Sequence, residues 1–467
     1  MGSSAGWRQN RLAGLTWGAV FALLPLPQSS FAESLSEAFT RVYQSNPVLN
    51  FERARLRAID ENIPQALAGY RPQVSGTFSA GYQTLKNGLP DGTSQSANLH
   101  PWVAGVTLTQ PLFNGFNTAN SVRQAESQVR SGREQLRNVE QNVFVDAVTA
   151  YMNVVADQAL VESQRASVTF LRETLKTTHV RLDAGDVTPT DVAQAEARYN
   201  RGLADLNAAE VALAVARATY AQIVGVQPGM LAAAEPADRF LPRSREAALA
   251  MSRRDHPRIA GATFDVDVAI AAIKVAESAL MPNANLQASA SRSVETDTTL
   301  TTTSTNQASV IGQANIPLYD GGLASSQIRQ AKERSAQARI VLSQVRVAID
   351  AILATAWSIN EGAKTAMTAA EAEVKAATIA LRGVQREQQA GQRTTIDVLN
   401  ANQDLVAARA RLITAQRDRV VASYALLAAI GRLDHTTLML KAPGYDPQVH
   451  YTQVRDVWYG LRTPDGR

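Results

Sequence analysis

Residues 111–115 read PLFNG and residues 317–321 read PLYDG, and these two copies of one motif decide the architecture of the chain. Each copy follows a stretch of alternating apolar and polar residues and precedes a long stretch of helical character. Glycines stand at matching positions, 74 and 114 residues after the proline of each motif: Gly185 and Gly225 in the first half, Gly391 and Gly431 in the second. Agreement over this length without a gap indicates an internal duplication. The sequence therefore predicts two equivalent structural repeats, 33–230 and 244–434.

Segments outside the repeats lie at both ends of the chain. The first 32 residues have the pattern of a secretory signal peptide: two arginines, an apolar segment over 12–26, and small residues Ser30 and Ala32 at a cleavage site. An N-terminal membrane anchor is the alternative, but the apolar segment is shorter than the ~20 residues of a spanning helix. We expect residues 1–32 to be removed. A C-terminal tail, 435–467, follows the second repeat.

The composition excludes several kinds of protein. The 467 residues include no cysteine, which excludes a thiol catalyst, a disulfide framework and a lipidated N-terminal cysteine. The formal net charge of +4 is too balanced to indicate binding to nucleic acid. Beyond the signal peptide no continuous apolar run reaches the ~20 residues of a spanning helix, so any membrane contact must be made by strands.

Four segments alternate apolar and polar residues and predict β-strands: about 74–83, 102–109, 284–292 and 308–316. In the first segment Val74 and Phe78 fall on one face, and Ser75 and Thr77 fall on the other. Such alternation over about ten residues is what a membrane-spanning barrel strand requires. A one-sided soluble sheet remains the alternative. Under either interpretation the loops 85–98 and 295–306 should face solvent.

The membrane interpretation requires several chains. Four strands cannot close a barrel, and open sheet edges are not tolerated in lipid. Three copies would supply twelve strands, an even number within the usual range. Aromatic side chains near the strand ends would then mark the membrane interface: Tyr82, Trp102, Phe113 and Tyr319.

The segments after the two motifs predict very long helices. Between residues 117 and 183 there is no proline, and apolar residues recur every seven positions: Val122, Val129, Leu136, Val143 and Ala150. After a four-residue skip the spacing resumes at Val154. Such a skip locally unwinds a coiled coil. At 1.5 Å per residue, ~65 residues span on the order of 100 Å, which suits a rod or the wall of a cylinder.

Each long helix ends in the same turn, over 185–188 and 391–394, which read Gly-x-x-Thr. The glycines suit a left-handed residue after a helix. Thr188 with Asp191, and Thr394 with Asp397, have the spacing of a capping box at the start of the next helix. The aspartates could serve as helix caps, and the same tips could form the mouth of a tunnel and dock a partner. The two roles are compatible.

These features resemble the TolC family of outer-membrane efflux proteins, and most closely its type I secretion channels. The resemblance rests on the duplicated Pro-Leu-aromatic motif, on Arg181-Leu182-x-x-Gly185 before Thr190-Asp191-Val192, and on Gly391-x-Arg393-Thr394 before Asp397-Val398-Leu399. It implies an α+β membrane protein in which four strands of each protomer enter a shared twelve-stranded barrel and the long helices form a trimeric coiled-coil tunnel. It also implies a periplasmic adaptor (membrane fusion protein), an inner-membrane pump of ABC or RND type, and passage of substrate without chemical change.

The resemblance also assigns residues to a gate at the periplasmic end. Asp397 matches the first acidic residue of an entrance ring, and Asn400 stands where a second aspartate is common. Arg393, Thr190 and Asp191 match polar links between neighbouring helices, whereas Gln388 replaces an aromatic partner. The expected adaptor-docking tips comprise Arg181, Leu182, Gly185, Asp186, Val187, Gly391 and Gln392.

Two other classes of protein compete with a channel. An enzyme is disfavoured because the five histidines are scattered and no nucleophile, phosphate-binding or metal-ligand motif is present. The sequence therefore predicts no catalytic, cofactor or metal site. A periplasmic coiled-coil adaptor or structural protein is the second alternative. An adaptor would show one helical hairpin, whereas this chain predicts two.

Overall fold

The structure, a computed structural model, describes residues 32–88, 90, 92–296 and 302–466. The predicted signal peptide, apart from Ala32, lies outside the described residues. The helices are α1 Leu35–Ser45, α2 Pro47–Asp60, α3 Asn62–Leu67, α4 Asn117–Asp183, α5 Pro189–Val224, α6 Arg245–Asp255, α7 Pro257–Glu277, α8 Leu323–Gln389, α9 Thr395–Ile430 and α10 Pro447–Val454. The strands are β1 Gln73–Ala80, β2 Gln83–Gly88, β3 Ser94–Leu99, β4 Trp102–Asn114, β5 Asn283–Thr296 and β6 Thr302–Asn315.

The helices of the two halves match in length. Helices α4 and α8 each contain 67 residues, and α5 and α9 each contain 36. Helices α5 and α9 both end at a glycine in the left-handed region, Gly225 (φ 89°) and Gly431 (φ 90°). At 1.5 Å per residue each long helix is about 100 Å long, as the sequence predicts.

Strands β1, β4, β5 and β6 form one antiparallel sheet in that order. The register places the predicted apolar residues of all four strands on one face, where Val74 pairs with Leu108, and Val106 with Ala290. On the opposite face the Ser289 hydroxyl lies 2.9 Å from the Ser309 hydroxyl. The alternation therefore produces one apolar and one polar face. Strands β4, β5 and β6 are longer than predicted, with 13, 14 and 14 residues, whereas β1 ends at Ala80, three residues before its predicted end. The expected loop over 295–306 is therefore strand at 295–296 and 302–306.

The expectation of a loop over 85–98 is wrong. Strands β2 and β3 form a separate antiparallel hairpin there, with Thr84 paired to Asn98 and Lys86 to Ser96. Hydrophobic alternation is the signal for strands with a buried or lipid-facing side, and this exposed polar hairpin lacks it. Its signal is local, since Asn87-Gly88 ends β2 and the turn dipeptide Asp91-Gly92 lies between the two strands in the sequence.

The main core lies where α1 and α2 pack on the middle of α4. Phe39, Phe144, Tyr151 and Tyr220 are fully buried there, and the Phe39 and Phe144 rings meet edge to face at 5.1 Å. The Tyr151 hydroxyl donates to one of the carbonyl oxygens of Glu33 and Ala232, both at 2.7 Å. This core packs the short N-terminal helices against the helical hairpin of the first repeat.

Helices α4 and α8 differ in burial although their lengths agree. Within the described residues α4 has 23 buried residues, whereas α8 has eight. Among helices of the described chain, α8 alone contains an 18-residue window apolar enough to cross a membrane by length and composition, and only 11% of that window is buried. A 67-residue helix is far longer than a bilayer span. Its apolar surface is instead a face that the single chain leaves uncovered.

Candidate functional site

The tips of the two helical hairpins have the same backbone geometry. In the first tip the Asp186 amide donates to the Arg181 carbonyl at 2.8 Å, and the Gly185 amide donates to Leu182 at 2.9 Å. In the second tip Gln392 donates to Glu387 at 2.8 Å, and Gly391 to Gln388 at 2.9 Å. Both sets of bonds are Schellman motifs, which satisfy carbonyls at a helix C-terminus. The tips are therefore well-defined turns. Val187, also assigned to the docking tips, lies within the first of them.

Asp191 and Asp397 cap the helices that follow these turns. The Asp191 Oδ2 accepts bonds from the Thr188 amide (2.9 Å) and hydroxyl (2.8 Å), and Asp397 Oδ2 accepts the same bonds from Thr394 at 3.0 and 2.8 Å. These bonds, first among them those from the backbone, hold the pKa of each carboxyl below its ordinary value. The predicted capping boxes are confirmed. Both carboxylates are charged at neutral pH.

In the described part of the single chain, Arg393 makes no hydrogen bond or ion pair with Thr190 or Asp191. Its Nε donates to Glu387 Oε2 at 3.0 Å, on the same hairpin. The Glu387 carboxylate is within reach across the turn, whereas Asp191 is held by Thr188. Gln388 likewise stays on its own hairpin, where its Nε2 donates to the Thr395 hydroxyl at 3.4 Å. The link that sequence reasoning placed between the hairpins is therefore absent from the single described chain.

A different arginine joins the two hairpins. The guanidinium of Arg198 on α5 donates to Asn400 Oδ1 on α9 at 3.0 Å and also to Gln403 Oε1. Sequence reasoning missed Arg198, because its partners lie on another repeat and no spacing along the chain reveals the pairing. The sequence analysis named Asn400 only because it stands where an aspartate is common in the family.

Apolar contacts lie beside this polar link. Leu171 of α4 and Leu399 of α9 are buried in one cluster, and Phe170 packs on it and on a second cluster that contains Leu405. The Asn402 amide donates to the Ser167 hydroxyl at 3.4 Å in a buried position. The hairpins are thus held together near the tips by packing and by a small number of polar bonds.

The aromatic residues assigned to the membrane interface lie toward the two ends of the sheet. Trp102 begins β4, and Tyr82 lies just beyond the end of β1 that pairs with it. Phe113 is near the other end of β4, and Tyr319 follows β6 at that end. Eleven residues separate Trp102 from Phe113, about 36 Å along a strand at 3.3 Å per residue. With the usual tilt of 35–45°, that spacing is close to the ~25 Å apolar band of an outer-membrane barrel.

Two long hairpins on an antiparallel sheet with one apolar face define a channel-tunnel of the outer membrane. The chain belongs to the Outer membrane efflux protein family, whose model matches residues 40–226 and 248–432. The outer membrane is accordingly its location, and it is a transport channel of the TolC type and not an enzyme. The comparisons give no support to the alternative of a periplasmic adaptor or structural protein.

Known relatives cover nearly the whole chain. It is 41% identical over 440 residues to the outer membrane efflux protein BepC of Brucella suis, covering 94% of each chain. It is 26% identical to TolC of Vibrio cholerae (90% of this chain, 95% of that protein) and 24% identical to the alkaline protease secretion protein AprF of Pseudomonas aeruginosa (92% and 91%).

Solved structures share the fold. The CmeC outer membrane channel of Campylobacter jejuni superposes with a TM-score of 0.75 at 13% identity, covering 90% of this chain and 89% of that one. The structure described as the open state of the MtrE outer membrane channel of Neisseria gonorrhoeae gives 0.67 at 19% identity, covering 86% and 89%. These similarities establish the tunnel-plus-barrel fold.

Proposed function

We propose that three copies of this chain form one export channel, with a twelve-stranded barrel in the outer membrane and a periplasmic helical tunnel. The observation that carries the proposal is the uncovered surface of the single chain. Strands β1 and β6 are the open edges of the sheet, and such edges are not tolerated in lipid. Helix α8 exposes large apolar side chains, among them Ile340, Val347 and Ile352. A neighbouring copy would cover both surfaces.

The trimer is tested by the mass of the purified mature protein in detergent, measured by light scattering with the detergent contribution subtracted. We expect three times the chain mass. A monomer that stays soluble without detergent would contradict both the trimer and the barrel. In the trimer the aromatic positions Tyr82, Trp102, Phe113 and Tyr319 would lie at the two lipid–water interfaces, where such side chains are enriched.

The proposed partners are a periplasmic adaptor, which docks on the hairpin tips, and an inner-membrane pump of ABC or RND type. TolC-like channels work with transporters, and the names of the relatives include both efflux and protease secretion. We propose accordingly that the cargo is an unfolded polypeptide, a small toxic compound, or both. The pump would select it, since a water-filled tunnel passes either.

The tips form the proposed gate. Asp397 would ring the entrance, and Arg393 would link one hairpin to Thr190 and Asp191 of a neighbouring copy. Support for an intermolecular link comes from the exposed, tip position of Arg393, whose partner Glu387 is itself exposed. Adaptor docking would then separate the hairpins and open the tunnel.

Single-channel conductance of the isolated trimer in a planar bilayer tests the link made by Arg393. We expect Arg393→Ser to raise the conductance. Glu387→Gln is the matched control, because it removes the ion pair observed within one hairpin and leaves Arg393 in place. An unchanged conductance in Arg393→Ser would overturn the assignment, and an equal rise in both variants would place the effect within one hairpin.

A further inference from the structure

The C-terminal tail is bound along the first repeat from the core toward the sheet. Its first contacts are polar and aromatic: the His435 amide donates to Glu140 Oε1 at 2.8 Å, and the His435 ring stacks on Tyr43 at 4.8 Å. The Tyr445 amide then donates to the Tyr43 hydroxyl at 2.8 Å. These bonds hold the beginning of the tail against α1 and α4.

Helix α10 continues the tail along α2 and α4. His450 Nδ1 lies 2.9 Å from Oδ2 of the buried Asp60. The guanidinium of Arg133 on α4 lies 5.1 Å from the Tyr451 ring, and Val454 is buried. A segment with this many specific contacts has a defined path, so the position of its end is set by the fold.

That path ends at the base of the sheet. The Arg71 Nη1 donates to the Val457 carbonyl at 2.7 Å, and the Arg71 guanidinium lies 5.0 Å from the Trp458 ring. Arg71 stands two residues before β1, and the neighbouring Tyr70 carbonyl accepts a bond from Gln110 of β4 at 3.0 Å. The end of the tail therefore lies beside the residues that precede β1, at the same end of the sheet as Phe113.

The residues at this end are apolar and uncovered. Trp458 is 67% exposed, Tyr459 94%, and Leu461 is fully exposed. Other exposed apolar side chains lie at the same end of the sheet, namely Tyr70, Leu112, Phe113, Phe116, Leu318 and Tyr319. Exposed apolar residues grouped in this way mark an interaction surface, and here they continue the lower edge of the lipid-facing sheet.

We propose that Trp458, Tyr459 and Leu461 form a tail anchor that inserts into the periplasmic leaflet of the outer membrane. Tryptophan and tyrosine favour the headgroup level of a bilayer, where the ring is buried and its polar atom stays in water. The guanidinium of Arg71 beside Trp458, and the exposed Arg462, suit phospholipid phosphates at that level. The inference rests on the proposed barrel, because it takes the sheet as spanning the membrane.

The experiment uses variants with a single tryptophan. The predicted mature chain contains Trp102, Trp357 and Trp458, so Trp102→Phe with Trp357→Phe leaves Trp458 alone. The mature variant is reconstituted into phospholipid vesicles whose acyl chains are brominated near the headgroup. We expect the fluorescence of Trp458 to fall relative to unbrominated vesicles, by an amount comparable to that of a variant with Trp102 alone. A variant with Trp357 alone, in α8, should keep its fluorescence.

The outcomes separate the two proposals. If Trp102 is quenched and Trp458 is not, the barrel stands and the tail anchor is overturned. If Trp458 is also shielded from aqueous acrylamide in that case, a neighbouring copy covers it. If Trp102 itself is not quenched, the barrel fails and the anchor fails with it. The circular dichroism spectrum and detergent-complex mass of each variant should match the unsubstituted protein, which excludes misfolding as the cause.

Discussion

Asp397 has a carboxylate whose two oxygens allow two uses at once. Oδ2 is engaged by Thr394 at the start of α9, while the group as a whole is not enclosed by the chain. The cap bonds lower the pKa of the carboxyl, so its charge is present above its unfolded pKa of about 4 and is lost only at lower pH. A charged cap can therefore also act as part of an entrance ring.

Asp397→Ala should reduce the block of the channel by multivalent cations, because rings of carboxylates attract cations in pores. The duplication supplies a matched control. Asp191→Ala removes an equivalent cap from the other hairpin, and we expect it to leave the block nearly unchanged. Because Asp191 also belongs to the proposed link with Arg393, the block is expressed as a fraction of each variant's own unblocked conductance. The measurement is conductance of the reconstituted trimer over a titration of a trivalent cation. Equal behaviour of the two variants would show that Asp397 serves only as a cap.

Arg198 makes the polar link between the hairpins of one chain, through Asn400 and Gln403. We expect Arg198→Ala to raise the resting conductance, since the hairpins would then be held together by the apolar contacts and the single long bond from Asn402 to Ser167. Arg201 lies one turn further along α5 and makes no bond to α9 in the described part of the chain, so Arg201→Ala is the control for loss of one positive charge. If the two substitutions change the conductance equally, charge and not the link is responsible.

At the scale of helices and turns, two glycines with similar backbone angles differ in their surroundings. Gly391 (φ 77°) has no other atom within 4 Å of the position that a Cβ would occupy, whereas a Cβ on Gly431 (φ 90°) would lie 2.6 Å from the His256 Cα. An L-residue in the left-handed region costs about 1–2 kcal/mol. A clash with backbone adds about 1–3 kcal/mol when the structure must shift.

Gly431→Ala should therefore destabilise the protein more than Gly391→Ala. We expect about 1–2 kcal/mol for Gly391→Ala and about 2–5 kcal/mol for Gly431→Ala. Thermal unfolding followed by circular dichroism at 222 nm compares the two variants under one condition. Similar melting temperatures would mean that the junction of α9 with α7 is looser than the contact distances indicate.

Regular elements could be predicted from the sequence because their signals are periodic. The alternation of apolar and polar residues predicted that Val74, Val106 and Ala290 lie on one face of the sheet. The two Gly-x-x-Thr sequences predicted the positions of both hairpin tips. Features without a period were missed. The β2–β3 hairpin is polar on both faces, and the contacts of Arg198 and of the C-terminal tail join residues that are far apart in the chain.

At the scale of the whole molecule, the duplicated halves have unequal surroundings. Along its length α4 is covered by the short N-terminal helices and by α7 and α9, while much of α8 faces outward. Because α4 and α8 are equivalent in sequence but unequally buried in one chain, we infer that another molecule covers the exposed surface of α8. A second copy of the chain is the simplest such molecule. Every copy exposes the same surface of α8, and a closed ring of copies covers all of these surfaces.

Val347→Glu should prevent the trimer from forming. Val347 is 67% exposed on the uncovered face of α8, and an unpaired charge taken out of water at an interface costs on the order of several kcal/mol. Val449→Glu is the control, because Val449 is similarly exposed (52%) but lies in α10, away from that face. Light scattering in detergent should give one chain mass for Val347→Glu and three for Val449→Glu, with unchanged helical content in both. A trimer in both variants would mean that α8 faces the water of the tunnel at this point, and that neighbouring chains meet along other helices.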